Sequence, residues 1–336
     1  MQNKCLYRLI RKSSGYDGAF SIWDIERILS LNRKWYILYN SSMEIIYYIF
    51  VFIAGLFFGS FLNLVADRVV KGESILFGRS HCDHCKRNLN VRDLIPLLSF
   101  ALAKGKCRYC STKLAWTYPF SEVLTGLAFV GVAYFTGVFD SDITSRLAVF
   151  GFLLVMAGFY IILFMTDLKY RLIPDKIVIP AMVFVIVFNV VYLGWTLASS
   201  YMQLKNDDFG KYLLEAGFWH LQLYQILKMF VVNMISAVGI GLFFWFLVFI
   251  TKGRGMGGGD IKLGFLIGLV NGFPQNILAI FLGFIFGALF SMAMIVLRRK
   301  TVKDTIAFGP FLILGSVVAL AFGEKILSWY FSAFSL

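Results

Sequence analysis

Residues 263–297 read LGFLIGLVNGFPQNILAIFLGFIFGALFSMAMIVL, 35 consecutive positions without a charged side chain. A helix needs about 20 residues to cross roughly 30 Å of hydrocarbon, so this stretch is too long for one crossing. Asn271-Gly272-Phe273-Pro274-Gln275-Asn276 in its middle reads as a turn. The part before the turn covers only about 15 Å at 1.5 Å per residue. It is either a half-helix or a crossing extended at its ends.

Similar runs lie at residues 45–66, 123–139, 147–166, 177–204, 229–251 and 305–323. Counting the interrupted run as two predicts an all-α polytopic membrane protein with about eight transmembrane helices. Composition agrees: 59% of the 336 residues are hydrophobic and 15% charged, against roughly 45–50% and 25% in soluble domains. An ordinary soluble domain, a disordered chain and a nucleic-acid module are excluded. The formal net charge of +13 sits mainly in short loops, where it orients the chain and attracts anionic lipid.

Residues 67–117 hold ten Lys/Arg against four Asp/Glu, which places this loop on the cytoplasmic side. Counting crossings then puts residues 167–176 and 252–262 on that side too, and the net acidic 205–225 loop outside. Residues 1–44 fall outside by the same count, although they carry seven Lys/Arg and four Asp/Glu. They lack an apolar core long enough for a signal peptide. Ile22, Trp23, Ile25, Ile28, Leu29 and Leu31 could form one face of an interfacial helix. The resulting division is an extension of unknown role over 1–44, a first span over 45–66, a soluble loop over 67–118 and a membrane core over 119–336.

The 67–118 loop is too small to fold around a core of its own. It contains Cys82, Cys85, Cys107 and Cys110 in a C-x2-C-x21-C-x2-C pattern. Each CxxC turn aims two thiolates at one point, and two turns complete a tetrahedron suited to zinc. Four protein ligands leave no open position, so such a site is structural. The other reading is reactive dithiols or disulfides, which a cytoplasmic location disfavours. His81 and His84 are spare ligands or solvated loop histidines, and Cys5 is unpaired.

Ionisable groups at the ends of apolar spans are functional candidates, and two stand out. Asp167 ends a span ahead of Pro174-Asp175, and Asp260 closes Gly255-Met256-Gly257-Gly258-Gly259-Asp260. The topology above places both at one face. Two adjoining carboxyls share a proton because both cannot ionise easily. The ionised one then activates water and the neutral one hydrogen-bonds a scissile carbonyl, which is aspartic proteolysis. Gly257 and Gly259 would admit a peptide backbone and allow unusual dihedrals beside Asp260. Simpler roles compete: helix capping for Asp175 and Asp260, and pairing with Lys169 or Arg171 for Asp167. The glycine run lacks the GK[ST] ending of a P-loop.

With these residues in place, the chain resembles the type IV prepilin peptidase family of GxGD aspartic proteases. The resemblance covers about residues 50–315. It rests on Gly59-Ser60-Phe61-Leu62-Asn63 with Arg68, on the CxxC pairs with Ile95-Pro96-Leu97-Leu98-Ser99-Phe100 between them, and on Tyr118-Pro119-Phe120-Ser121-Glu122. The Asp167 and Asp260 motifs and Phe308-Gly309-Pro310-Phe311 complete it. The resemblance implies that Asp167 and Asp260 are the catalytic pair and that the cysteine loop binds zinc. It further implies a bacterial inner-membrane enzyme that cuts the basic leader of prepilins or pseudopilins after a glycine, on the cytoplasmic side. N-methylation of the new terminus with S-adenosylmethionine is also implied. Glu122 would contact the substrate amine, or stand as a span-end acid at the lipid surface. Departures are Lys169, where many members carry Asp, and Ala307, where proline often precedes the FGP motif. Lys169 is expected to lower the Asp167 pKa. From a different class, a transporter or proton-coupled channel would use the same acids, although here they lie at one face rather than the midplane.

Overall fold

The computed structural model describes all residues except 1–21, 76, 83, 138–142, 254–255, 300–305 and 335–336, and it describes no side chains for 22–43, 143–145 and 334. The expectations for Cys5, Gly255 and the interfacial face at 22–31 therefore lie outside the described side chains. The chain divides into two compact units, Met1–Phe50 and Val51–Leu336. All site residues discussed below belong to the second.

Ten α-helices are described: α1 (Ile22–Lys71), α2 (Leu98–Leu102), α3 (Thr117–Thr136), α4 (Ile143–Tyr170), α5 (Asp175–Asn206), α6 (Asp208–Glu215), α7 (Phe218–Ile250), α8 (Gly258–Asn271), α9 (Gln275–Val296) and α10 (Gly309–Phe334). Among the described residues, extended pairing is confined to two isolated bridges, His81 with Asn88 and Lys106 with Lys113. The all-α expectation holds, with one refinement of the span count. Seven helices are long and apolar enough to cross a membrane. The eighth apolar helix, α8, has 14 residues and is about 21 Å long. It is the expected piece before the turn, extended at its N-terminus through Gly258, Gly259 and Asp260.

Several helices outrun their uncharged stretches because their terminal charges are satisfied. α1 continues past residue 66 through Asp67 and Arg68. Asp67 accepts hydrogen bonds from Lys169 Nζ and Tyr170 Oη, both at 3.0 Å, and from Tyr118 Oη at 3.3 Å. The Arg68 guanidinium donates to the carbonyls of Ser74, Gly78 and Arg79 at 3.2, 3.0 and 3.3 Å. A buried charge with such partners avoids the desolvation cost that would otherwise end the helix.

The turn between α8 and α9 is fastened to α7: Asn233 Oδ1 accepts the Phe273 N–H at 2.9 Å, and Asn276 Nδ2 donates to Ser236 Oγ at 2.8 Å. Helices approach closely through small residues, as packing inside a bilayer requires. A Cβ on Gly268 would lie 2.7 Å from the Cα of Ala237. Leu163, Met165, Leu263, Leu266 and Leu312 are fully buried between helices. Val191, Ile235 and Phe281 are exposed, at 65%, 65% and 61%; an apolar surface of this kind suits lipid.

Candidate active site

Asp167 lies one turn before the end of α4 and is 7% exposed. Its Oδ2 accepts the backbone N–H of Gly309, the first residue of α10, at 2.9 Å. Asp260 lies in the first turn of α8 and is 8% exposed. Its Oδ2 accepts the Gly257 N–H at 3.1 Å, so it caps its helix as well as facing the site. Gly309 joins the two segments: a Cβ there would lie 2.6 Å from Asp167 Oδ2 and 3.3 Å from Leu263 Cδ2.

The segments carrying the two acids also grip each other. Lys262 Nζ lies 2.6 Å from Asp175 Oδ1, so Asp175 ties α5 to α8 in addition to sitting at a helix start. A Cβ on Gly259 would lie 2.9 Å from Ile173 Cβ. This corrects the expected role of the glycines. Gly257 has an ordinary extended backbone at φ −81° and ψ 156°, and Gly258 and Gly259 are helical. The space at Gly259 is filled by Ile173. The two acids, 93 residues apart in sequence, lie within electrostatic reach: burial first, then the charge of Asp167, pushes the Asp260 pKa up to about 6 against the pull of the Gly257 N–H.

Lys169 does not take the place expected for it. Its Nζ lies 2.7 Å from Asn63 Oδ1 and 3.0 Å from Asp67 Oδ1, and it rests 4.9 Å above the Tyr118 ring. The ammonium is engaged on α1 rather than on Asp167. Sequence reading missed this Asn63–Asp67–Lys169–Tyr170 hub. The available signal was Asn63 and Asp67 at i, i+4 near the end of a span, where polar residues share a helix face.

Glu122 lies inside α3, which begins at Thr117 rather than at 123. It is 8% exposed, not an acid at the lipid surface. Its Oε2 accepts the Leu97 N–H at 2.8 Å, and no contact joins it to the Asp167–Asp260 pair.

The four cysteine sulfurs lie within 4.8 Å of one another, with no disulfide among them. Cys82 and Cys110 are 3.9 Å apart, close to the edge of about 3.8 Å for a tetrahedron with 2.3 Å metal–sulfur bonds. Two matching turns build the cluster. Cys82 N–H donates to Arg87 O and Cys107 N–H to Thr112 O, at 3.0 and 2.8 Å. Lys86 and Ser111, each following the second cysteine of its pair, have φ of 55° and 58°. This local two-fold repeat was faint in sequence because, apart from the cysteines, only Leu89 and Leu114 coincide. His81 and His84 are not in the sulfur cluster.

Residues 53–136 match the family described as bacterial peptidase A24 N-terminal domain, and residues 154–292 match the type IV leader peptidase family. A prepilin leader peptidase/N-methyltransferase of Bacillus subtilis is 30% identical over 280 residues, 83% of this chain and 96% of that protein. The chain belongs to the type IV leader peptidase family. The Pseudomonas aeruginosa and Aeromonas hydrophila proteins of the same name are each 26% identical, covering 87% and 86% of this chain and 96% and 95% of their own length. No solved structure matches. Within the leader peptidase family match lie both Asp167 and Asp260, whereas Gly309, which binds Asp167, lies beyond it.

Proposed function

We propose that this member of the leader peptidase family is a membrane aspartic endopeptidase that removes the basic leader of type IV prepilins or pseudopilins. Cleavage follows a glycine, at the cytoplasmic face of a bacterial inner membrane. The observation that carries this reading is the buried pair itself, in which the charge of Asp167 helps hold a proton on Asp260.

In the reaction, Asp167 is the ionised partner, its Oδ2 held by the Gly309 N–H. It accepts a proton from water as the water oxygen attacks the scissile carbonyl carbon. Neutral Asp260 hydrogen-bonds the carbonyl oxygen. Collapse of the tetrahedral intermediate breaks the C–N bond, and the proton passes to the leaving amine. Gly259 supports this by letting the start of α8 pack on Ile173, and Gly257 by donating its N–H to Asp260. Cytoplasmic orientation is supported by the basic 67–117 loop, which shares the protein's end with the acid pair through the Asp67–Lys169 link.

The sulfur geometry fits zinc, which Cys82, Cys85, Cys107 and Cys110 would hold as a closed, structural ion. The names of the relatives support a second activity, N-methylation of the new terminus, for which S-adenosylmethionine supplies the methyl group. The test is mass spectrometry of a purified prepilin incubated with the enzyme. The expected product begins after the leader glycine and gains the mass of one methyl group when S-adenosylmethionine is present. An uncut prepilin would overturn the peptidase reading, and a cut but never methylated product would overturn the second activity.

A further inference from the structure

We propose that Tyr160, Ser316 and Asn271 form a buried clamp that holds α4, α8 and α10 in register and thereby sets the separation of Asp167 and Asp260. They are positioning residues for the peptidase reaction, so the proposal rests on the peptidase reading given above.

Tyr160 lies seven positions before Asp167 on α4, and Ser316 lies seven positions after Gly309 on α10. Asn271 lies eleven positions after Asp260 on α8. Steps of seven and eleven residues return to nearly the same face of a helix. The three helices that supply Asp167, Gly309 and Asp260 therefore carry a second polar set on the same faces. At 1.5 Å per residue it lies about 10–16 Å farther along each helix. This second set also meets. Tyr160 Oη and Ser316 Oγ are hydrogen-bonded at 2.8 Å, and Asn271 Nδ2 donates to Ser316 Oγ at 2.6 Å. Tyr160 and Ser316 are both buried. Leu163, Leu266 and Leu312, all fully buried, occupy the stretches of the same helices between the two sets. The clamp therefore acts on the acids through the helices.

Inside a bilayer, apolar helix faces gain little from preferring one another over lipid. Apolar packing alone therefore leaves the axial register loosely specified. A hydrogen bond is directional and is lost beyond about 3.5 Å, so the Tyr160–Ser316 bond selects one register of α4 against α10. Asn271 extends the selection to α8. Its Oδ1 is buried without a hydrogen-bond partner, which is costly in apolar surroundings. Its Nδ2 also donates to Ile267 O at 3.0 Å in its own helix. Among the described residues, the bond to Ser316 is its side chain's one hydrogen bond to another helix, and that bond is what the costly amide supplies.

The test compares full-length proteins in lipid nanodiscs, with folding checked by melting temperature and zinc content. Tyr160→Phe combined with Ser316→Ala removes both hydroxyls of the α4–α10 bond, strands neither, and leaves Asn271 on Ile267, so the protein should fold. Its kcat for prepilin cleavage should fall about tenfold or more, since a 1 Å misplacement can cost about 100-fold. KM should stay within about twofold, because the clamp does not reach the substrate. Ser236→Ala breaks a hydrogen bond between α7 and α9, outside the clamp, and should leave kcat within about twofold of wild type. Wild-type kcat in the folded double variant, or an equal loss in Ser236→Ala, would overturn the proposal. Should the double variant not fold, Asn271→Leu replaces it, because this change also removes the unpaired oxygen; wild-type kcat there would overturn the proposal. A readout independent of cleavage is disulfide cross-linking of Asp167→Cys with Asp260→Cys in the zinc-loaded protein, followed by peptide mass spectrometry. Its rate should drop several-fold when Tyr160→Phe and Ser316→Ala are added, and an unchanged rate would overturn the clamp. Wild-type protein that cuts no prepilin, beside a cross-linking rate that depends on the clamp, would overturn the peptidase reading and support the clamp.

Discussion

The backbone N–H of Gly309 donates a 2.9 Å hydrogen bond to Oδ2 of Asp167, 142 positions earlier in the chain. The FGP motif is thereby part of the acid site: it fixes one oxygen of Asp167 and leaves no room for a side chain. A Cβ there would lie 2.6 Å from that oxygen. Gly309→Ala should therefore push Asp167 aside and lower kcat for leader cleavage by about 100-fold, the scale of a 1 Å misplacement. Steady-state kinetics beside a melting curve checks this; unchanged kcat would show that Asp167 does not depend on Gly309.

Asp260 gives the pH dependence. Its pKa is raised from 3.8 to about 6 by burial and then by Asp167. The proposed mechanism needs the proton on Asp260, so kcat/KM should fall as pH rises through about 6. Stability follows the same sign. A carboxyl whose pKa is raised on folding contributes stability that is full below 3.8 and lost as pH rises through about 6. Asp260→Asn should therefore melt higher than wild type at pH 7, with the difference shrinking toward pH 4. Melting curves across that range check the sign, and a lower melting temperature at pH 7 would contradict it.

Asp67 and Lys169 form a largely buried pair, with side-chain exposures of 12% and 13%. Removing one partner strands the other, typically at about 3–5 kcal/mol. Asp67→Ala and Lys169→Ala should each destabilise strongly, and the double variant should recover part of the loss. A double-mutant cycle by thermal or denaturant unfolding measures this; strictly additive losses would deny the coupling.

Metal analysis of the reduced, purified protein should find about one zinc per chain, as four cysteine ligands imply. Chelation should expose residues 84–106 to protease, because the loop has little core of its own. A metal-free protein with a protease-resistant loop would contradict the tetrathiolate site.

Much of this was legible in sequence because the bilayer imposes it. Uncharged runs marked the helices, and the break at Asn271–Asn276 separated α8 from α9. Two acids at span ends and two CxxC turns marked the sites. Helix ends were not legible where a charge finds its partner only in the folded bundle. Asp67 and Arg68 read as loop residues until Lys169, Tyr118 and the 74–79 carbonyls satisfied them. Lys169 was misjudged for the same reason: sequence neighbours suggested Asp167, whereas its helical position turns it toward α1. Glu122 read as a substrate contact or a span-end acid because its backbone partner, Leu97, lies 25 residues away.

The central claim is that Asp167 and Asp260 together perform the hydrolysis. Its most direct measurement is single-turnover cleavage of a prepilin by the Asp167→Asn and Asp260→Asn proteins in nanodiscs, with folding confirmed by melting and zinc content. The account predicts that each substitution alone reduces the rate by at least about 1,000-fold, because the two act as one unit. Near-wild-type cleavage by either folded variant would contradict it.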